Sequence, residues 1–448
     1  MTCPDCEKLL ARVEKLEKAL AERDKKIAKQ DKKIANLERR LALYENAHTP
    51  PSQRRYPTRQ NGGRSTGKRF PGRPKGHPGT TRPAPTPDIV AEAEWDLCPR
   101  CGSKLGKPKR VRCRTVEDIP EPQPVIRKKF IEFEGDCENC GAHVVARHPD
   151  CPPKGRMGKN VQVEVALMKY DERLPHKKIR EALKRRHGLS ITTATVFDIT
   201  RRVSDWLRPE YEEIRRRVGG AEVVYSDWTG MKVDGRKYWT WDFVTETEAL
   251  IAVRKSKRKK VLDENLGKNF SGTIVCDGDN TFPNFTHNIQ RCWAHLLREA
   301  DYLAEHIDKA KPLQKALHKL YNQLKGSLED DPPPEERVRL ANNAKRRLRY
   351  WLKKRYRNEE IREFIQKMRN GFDHWFTFVT TPGVEPTNNR AERVLREHVV
   401  QRKIIGTLRN EKGARIYETM MTMLATWKQR ELNPSEALAE SLTRAWQS

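Results

Sequence analysis

The fold turns on EVVYSDWTGMKV, residues 222–233, an apolar run that leads to Asp227. KYWTWDFVT (237–245) and ALIAVRKS (249–256) follow, two β-rich runs meeting at TETE, and they predict a hairpin. After a charged helical stretch, GTIVCDGDN (272–280) is another short apolar run ending on an acid, Asp277. Carboxylates at the carboxyl ends of two buried strands suit a divalent-metal phosphoryl-transfer site. Neighbouring strands lie ~5 Å apart, so their end residues can share ions that sit ~4 Å from each other. An Asp at a strand end is by itself also a common turn-former. The pair, in a βββαβ order within a very basic chain, favours the metal reading.

The 448 residues carry 90 Lys and Arg against 61 acids, a formal net charge of +29, which implies a polyanionic partner, nucleic acid above all. No apolar run approaches the ~20 residues that span a bilayer, and the N-terminus has no apolar signal core. The expectation is a soluble, cytoplasmic protein with no membrane partner. Six of the ten cysteines form three Cys-x-x-Cys pairs, a metal-binding pattern rather than a disulfide framework.

Outward from the decisive stretch, the chain divides into segments. Residues 1–47 carry heptads, with Val13, Leu20, Ile27, Ile34 and Leu41 on one seam and Leu9, Leu16, Arg23, Gln30, Leu37 and Tyr44 on its partner. β-Branched residues in one seam and Leu in the other predict a parallel two-stranded coil, hence at least a homodimer. Residues 48–87 lack apolar periodicity and predict a disordered basic linker. Within it, PGRPKG (71–76) resembles the core of an AT-hook, with Arg73 and Lys75 entering a narrow A·T-rich minor groove; a plain electrostatic tether explains it equally well.

In 88–155, Cys98-Pro-Arg-Cys101-Gly and Cys137-Glu-Asn-Cys140-Gly are tight knuckles whose glycines permit the turn that aims two thiolates at one ion. With RVRCRTVEDI and VIRKKFIEFEG between them as two strands, they predict a zinc ribbon holding structural Zn²⁺ on Cys98, Cys101, Cys137 and Cys140. Residues 156–218 read as one amphipathic helix, a His-Gly break and a second helix starting at Thr192 or Thr193. That spacing fits a helix-turn-helix led by Thr193 and an ordinary αα-hairpin equally well. The runs of 219–300 belong to an α/β core, 301–380 is a charged helical insertion, 381–430 returns to the core, and 431–448 is a helical tail.

In order along the chain, SDWTGMKV (226–233), VCDGDNTF (275–282), CWAHLLRE (292–299) and TNNRAERVLREHVVQRK (387–403) resemble transposases of the insertion-sequence-66 family, as do the heptads, the GHPGTTRP linker (76–83) and the knuckles. The resemblance implies a multidomain α+β protein with an RNase H-like core interrupted by the insertion. It implies a DDE triad of Asp227, Asp277 and Glu392, although Glu392 alone reads as an ordinary helix-surface partner of Arg396. Two Mg²⁺ (or Mn²⁺) ions on the triad would support cleavage of DNA at the element's ends and joining to target DNA. His295, Arg298 and Arg390 would contact phosphate, with Asp279 and Glu299 as rival acids. Double-stranded DNA and accessory proteins of the same element are the implied partners, and the bacterial nucleoid the implied place. A non-catalytic DNA-binding regulator keeping the fold and a structure-specific nuclease are the alternatives; metal-dependent cleavage and end joining separate them.

Overall fold

A computed structural model describes residues 86–447 except 109–111, 118 and 120, with scattered positions between 17 and 34. Arg73 and Lys75, with nearly all of the basic linker and most of the heptads, lie outside the described residues. Leu20, Ile27 and Ile34, all on the same expected seam, are helical, and each is more than half exposed.

The chain forms two compact units, Met1–Gln123 and Pro124–Ser448. In the first, Cys98–Cys101 is a tight turn: Cys98 N donates to Ser103 O, Gly102 N donates to Cys98 O, and a Leu97–Lys104 bridge closes its base. The strand expected over RVRCRTVEDI is not formed among its described residues. The strands β1 (Phe133–Asp136) and β2 (His143–Ala146), both in the second unit, instead pair with each other across the second knuckle. The local turn sets the register there: a tight knuckle brings its own flanks together before any distant strand can reach them.

Helices α1 (Lys159–Tyr170), α2 (His176–His187) and α3 (Thr193–Gly219) come next. Gly188, in the left-handed conformation (φ 64°), ends α2, and Thr192 caps α3 by accepting from Thr195 N at 3.1 Å. Both signals were legible as the His-Gly break and the Thr-rich start. α3 buries Val196, Ile199, Val203, Leu207, Tyr211 and Ile214, while Arg201, Arg202 and Arg216 pair with acids one turn away on the same helix. Thr193, at its first turn, is exposed.

A five-stranded sheet follows, from β3 (Val223–Val233), β4 (Arg236–Val244), β5 (Ala249–Arg254), β6 (Thr273–Cys276) and β7 (Ile289–Arg291), with α4 (Lys260–Leu266) between β5 and β6. Its order is β5-β4-β3-β6-β7; the first three are an antiparallel meander, and β6 and β7 run parallel to β3. Asp234-Gly235 makes the β3–β4 turn with both residues at positive φ, 52° and 69°, the geometry a two-residue hairpin demands. Thus β3 does not stop at Asp227 as its apolar run suggested. Antiparallel pairing continues to Val233 opposite Arg236, whereas the described parallel ladder with β6 ends at Tyr225–Val275.

The remaining helices are α5 (Trp293–His306), α6 (Lys311–Ser327), α7 (Pro334–Lys353), α8 (Glu359–Asn370), a single turn α9 (Thr377–Thr380), α10 (Asn389–Ile405), α11 (Glu411–Gln429) and α12 (Pro434–Gln447). α11 buries Met420, Met421 and Leu424 and lies along β5. There Ala249 N, Ile251 N and Val253 N donate to Thr426 Oγ1, Thr422 Oγ1 and Glu418 Oε1. At the other edge, Thr377 Oγ1 donates to Ile289 O, and Phe378 N to Gln290 Oε1. Among the described residues no helix is long and apolar enough to cross a membrane.

Candidate metal centre

β3 and β6 are neighbours in parallel register, Tyr225 beside Val275, and Asp227 and Asp277 each follow two residues later. The sequence therefore delivers two acids to one edge of the sheet. Glu392 comes from the first turn of α10, and three polar contacts lay that helix on β3 and β4. Asn388, fully buried, donates its side-chain N–H to Ser226 O at 3.0 Å, one residue before Asp227. Its backbone N donates to Cys292 Sγ. Further along, His398 Nε2 sits 3.0 Å from Asp242 Oδ1 in the core, and Arg402 donates to Thr229 Oγ1 and Gly230 O. Asn388 stands at the N-cap position of α10, but its amide is committed to the sheet and makes no capping bond.

Ligand atoms of Asp277, Cys292, His295 and Glu392 all lie within 4.8 Å of one another. His295 Nδ1 is 3.0 Å from Asp277 Oδ1 and 3.6 Å from Glu392 Oε1, ion-pair contacts rather than well-aligned hydrogen bonds. Arg298 approaches Glu392 Oε1 at 3.4 Å. Burial disfavours the His295 imidazolium, but contact with Asp277 and Cys292 outweighs it and holds the pKa at about 11. Burial raises the Asp227 carboxyl well above the usual carboxylate range, and the neighbouring Asp277 charge raises it further. Asp227 Oδ1 accepts from Trp228 N.

Of the expected residues, Asp277, Glu392 and His295 converge, Asp227 lies beside them under the field of Asp277, and Arg298 borders Glu392. Arg390 is turned away, donating to Glu385 at 2.7 Å. Both rival acids are engaged elsewhere: Asp279 accepts from Thr281 N and faces Lys257, and Glu299 pairs with Lys367 on α8. Arg396 makes no ion pair with Glu392; that acid's cationic neighbours are His295 and Arg298. Cys292 escaped the sequence reading because thiols were weighed as ligands only in and around the Cys-x-x-Cys knuckles. The signal was Cys292-x-x-His295 at a helix start, which turns both ligands to one side.

The donor set fits a divalent cation. Asp277 Oδ1 is buried without an aligned hydrogen bond, two hard carboxylates converge, and an imidazole and a thiol add softer donors. The knuckles are separately suited to metal. Each shows the same bonding, with the first Cys N donating five residues on and the following Gly N donating back to that Cys O. Gly102 and Gly141 take φ of 71° and 69°. A hydrogen bond with Ser103 lowers the Cys101 thiol pKa, and backbone bonds from Cys140 and Asn139 lower that of Cys137, favouring the thiolate that binds metal.

A mixed α+β protein with an acid-rich centre at the carboxyl edge of its parallel strands is the class that fold and site define. The chain belongs to the transposase IS66 family, whose sequence model matches residues 154–416 and so takes in all three acids. It is similar to the uncharacterized protein y4hP of Sinorhizobium fredii (strain NBRC 101917 / NGR234), 24% identical over 393 residues, which cover 78% of this chain and 70% of that one. The uncharacterized protein y4qI of the same strain is 21% identical over 316 residues, 62% of this chain and 58% of its own length.

Proposed function

We propose that the protein is a DDE transposase that binds the ends of its element, cuts DNA strands there and joins them to target DNA. The observation that carries this reading is the convergence of Asp277 and Glu392, from a strand end and a distant helix, beside Asp227. The strand order supports an RNase H-like core, with α6–α8 as the insertion that separates Glu392 in sequence.

Asp227, Asp277 and Glu392 would hold Mg²⁺ or Mn²⁺. When bound, such ions lower the pKa of water and neutralise charge at a scissile phosphate. The chain's own residues do the rest. Asn388, His398 and Arg402 fix α10 so that Glu392 faces Asp277. His295 stands between Asp277 and Glu392 and, once deprotonated, would add its imidazole to the ligand set, and Arg298 offers a guanidinium at the rim for a phosphate oxygen. Cys98, Cys101, Cys137 and Cys140 are read as a structural zinc set, residues 1–47 as a dimerising coil, and duplex DNA as the partner.

The test uses DNA flanking the reading frame, made into duplexes carrying its inverted ends. Asp227→Asn, Asp277→Asn and Glu392→Gln should each abolish Mg²⁺-dependent cleavage while retaining DNA binding, and Glu299→Gln should cut like wild type. Cleavage by Glu392→Gln at the wild-type rate would remove the third acid from the site. Joined products distinguish a transposase from a nuclease.

A further inference from the structure

A pocket of about 300 Å³ opens beside Asp277, lined by Gly278, Asn280, Arg291, Gln366 and Lys367, with Glu363 and Asn370 completing it. Arg291 ends β7, paired in the ladder with Cys276, the residue before Asp277. It is 4% exposed, yet among the described residues its guanidinium makes no ion pair and donates no hydrogen bond. Its cation lies 5.9 Å from the centre of the Trp375 ring. Burial lowers the Arg291 pKa, and the nearby positive charge adds to burial in lowering that of His374. Lys367, the second cation of the pocket, is spent on Glu299. Glu363 makes no ion pair with Arg291.

Two glycines shape the space around that guanidinium. At Gly371, whose φ of −108° any residue could adopt, a Cβ would stand 2.7 Å from Arg291 Cδ and Nη1. A side chain there would push the arginine aside and would not strain the backbone. At Gly278 a Cβ would sit 4.0 Å from Arg291 Nη1, inside the pocket. A buried cation without a counter-ion is costly, and the cost is recovered when an anion arrives from outside.

We propose that this pocket binds one backbone phosphate of the DNA strand, next to the phosphate presented to Asp277, with Arg291 as its principal donor. This rests on the DNA-cutting reading of the acid centre, so the test is made without metal and without cleavage.

Full-length protein is titrated with a fluorescein-labelled duplex of mixed sequence, in chelator, across a salt series. Arg291→Met should bind about tenfold more weakly at low salt. Its slope of log affinity against log salt should fall by about 0.9, the signature of one lost phosphate contact. Its melting temperature should hold or rise, since an unpaired buried charge is gone. Gly371→Ala, which keeps the net charge and displaces Arg291, should weaken binding in the same direction; Glu363→Gln should tighten it. Because binding is read in chelator with no strand cut, a failed cleavage reading leaves this result standing. An unchanged slope and affinity in both Arg291→Met and Gly371→Ala would overturn the proposal. So would inorganic phosphate that stabilises wild type but not Arg291→Met while the DNA slopes stay equal, since the pocket would then serve free phosphate.

Discussion

Asn388→Ala is the most informative single change for the acid centre, because Asn388 touches no reacting group yet holds the helix that brings Glu392. Its side chain is fully buried and makes one hydrogen bond, 3.0 Å to Ser226 O, while its own Oδ1 has no partner. Removing a buried donor costs ~1–3 kcal/mol, offset in part here because the orphaned Oδ1 leaves with it. A net loss of about 1–2 kcal/mol follows, or roughly 1.5–3 °C in melting temperature for the Pro124–Ser448 unit. Global stability loss of that order leaves the protein folded at assay temperature. Cleavage should nevertheless fall on the order of 10²-fold, since a shift of about 1 Å in a positioned group has that effect. The assay is Mg²⁺-dependent cleavage of end duplexes, run in wild-type and Glu392→Gln backgrounds. With Glu392 already disabled, losing its anchor should add nothing. Wild-type cleavage by Asn388→Ala at the expected lower melting temperature would refute the positioning argument.

Three further outcomes are expected. Replacing Cys98 and Cys137 together with Ser should abolish bound zinc and loosen residues 88–155 while the sheet unit keeps its melting transition; purified wild type without zinc, by metal analysis, would remove the zinc assignment. Deleting residues 1–47 should lower the mass measured by light scattering, because Leu20, Ile27 and Ile34 present an uncovered apolar seam in one chain. His398→Ala should destabilise the core by ~3–5 kcal/mol in chemical denaturation, because it strands the buried Asp242 carboxylate 3.0 Å away; a smaller change than Lys428→Ala at the exposed Asp171 pair would contradict it.

Much of the core was legible because its signals are local. Apolar and β-rich runs mark β3, β4 and β5, and Asp234-Gly235 prescribes the turn between the first two. Gly188 and Thr192 delimit helices through their own backbone and hydroxyl chemistry. The acids Asp227 and Asp277 were visible for the same reason, each closing a short apolar run. What stayed hidden depends on distant partners. Glu392 was named only through the resemblance, since by itself its helix has an ordinary surface pattern until Asn388 reaches Ser226 and Arg402 reaches Thr229. Arg291 looks like a surface residue in HNIQR, and only the fold buries it beneath Trp375 and Gly371. Of the two strands expected between the knuckles, the first is not formed among its described residues and the second survives only at its end, 133–135 in β1. The reason is that the loop at the second knuckle pairs its own flanks, an outcome that alternation alone does not specify.

The covered edges of the sheet bear on how copies of this protein can meet. Along β5 the outward N–H groups recur every second residue, a spacing of ~6.7 Å. Along α11 the accepting side chains at 418, 422 and 426 recur every fourth residue, ~6.0 Å apart. The two repeats nearly coincide, so a helix reads a strand as another strand would. With Thr377 and Phe378 engaging β7 at the far side, the outer strands at both edges have polar groups already committed within the chain. Strand addition at those positions would first have to displace a native element. Joining of copies through the five-stranded sheet is thereby disfavoured at those positions.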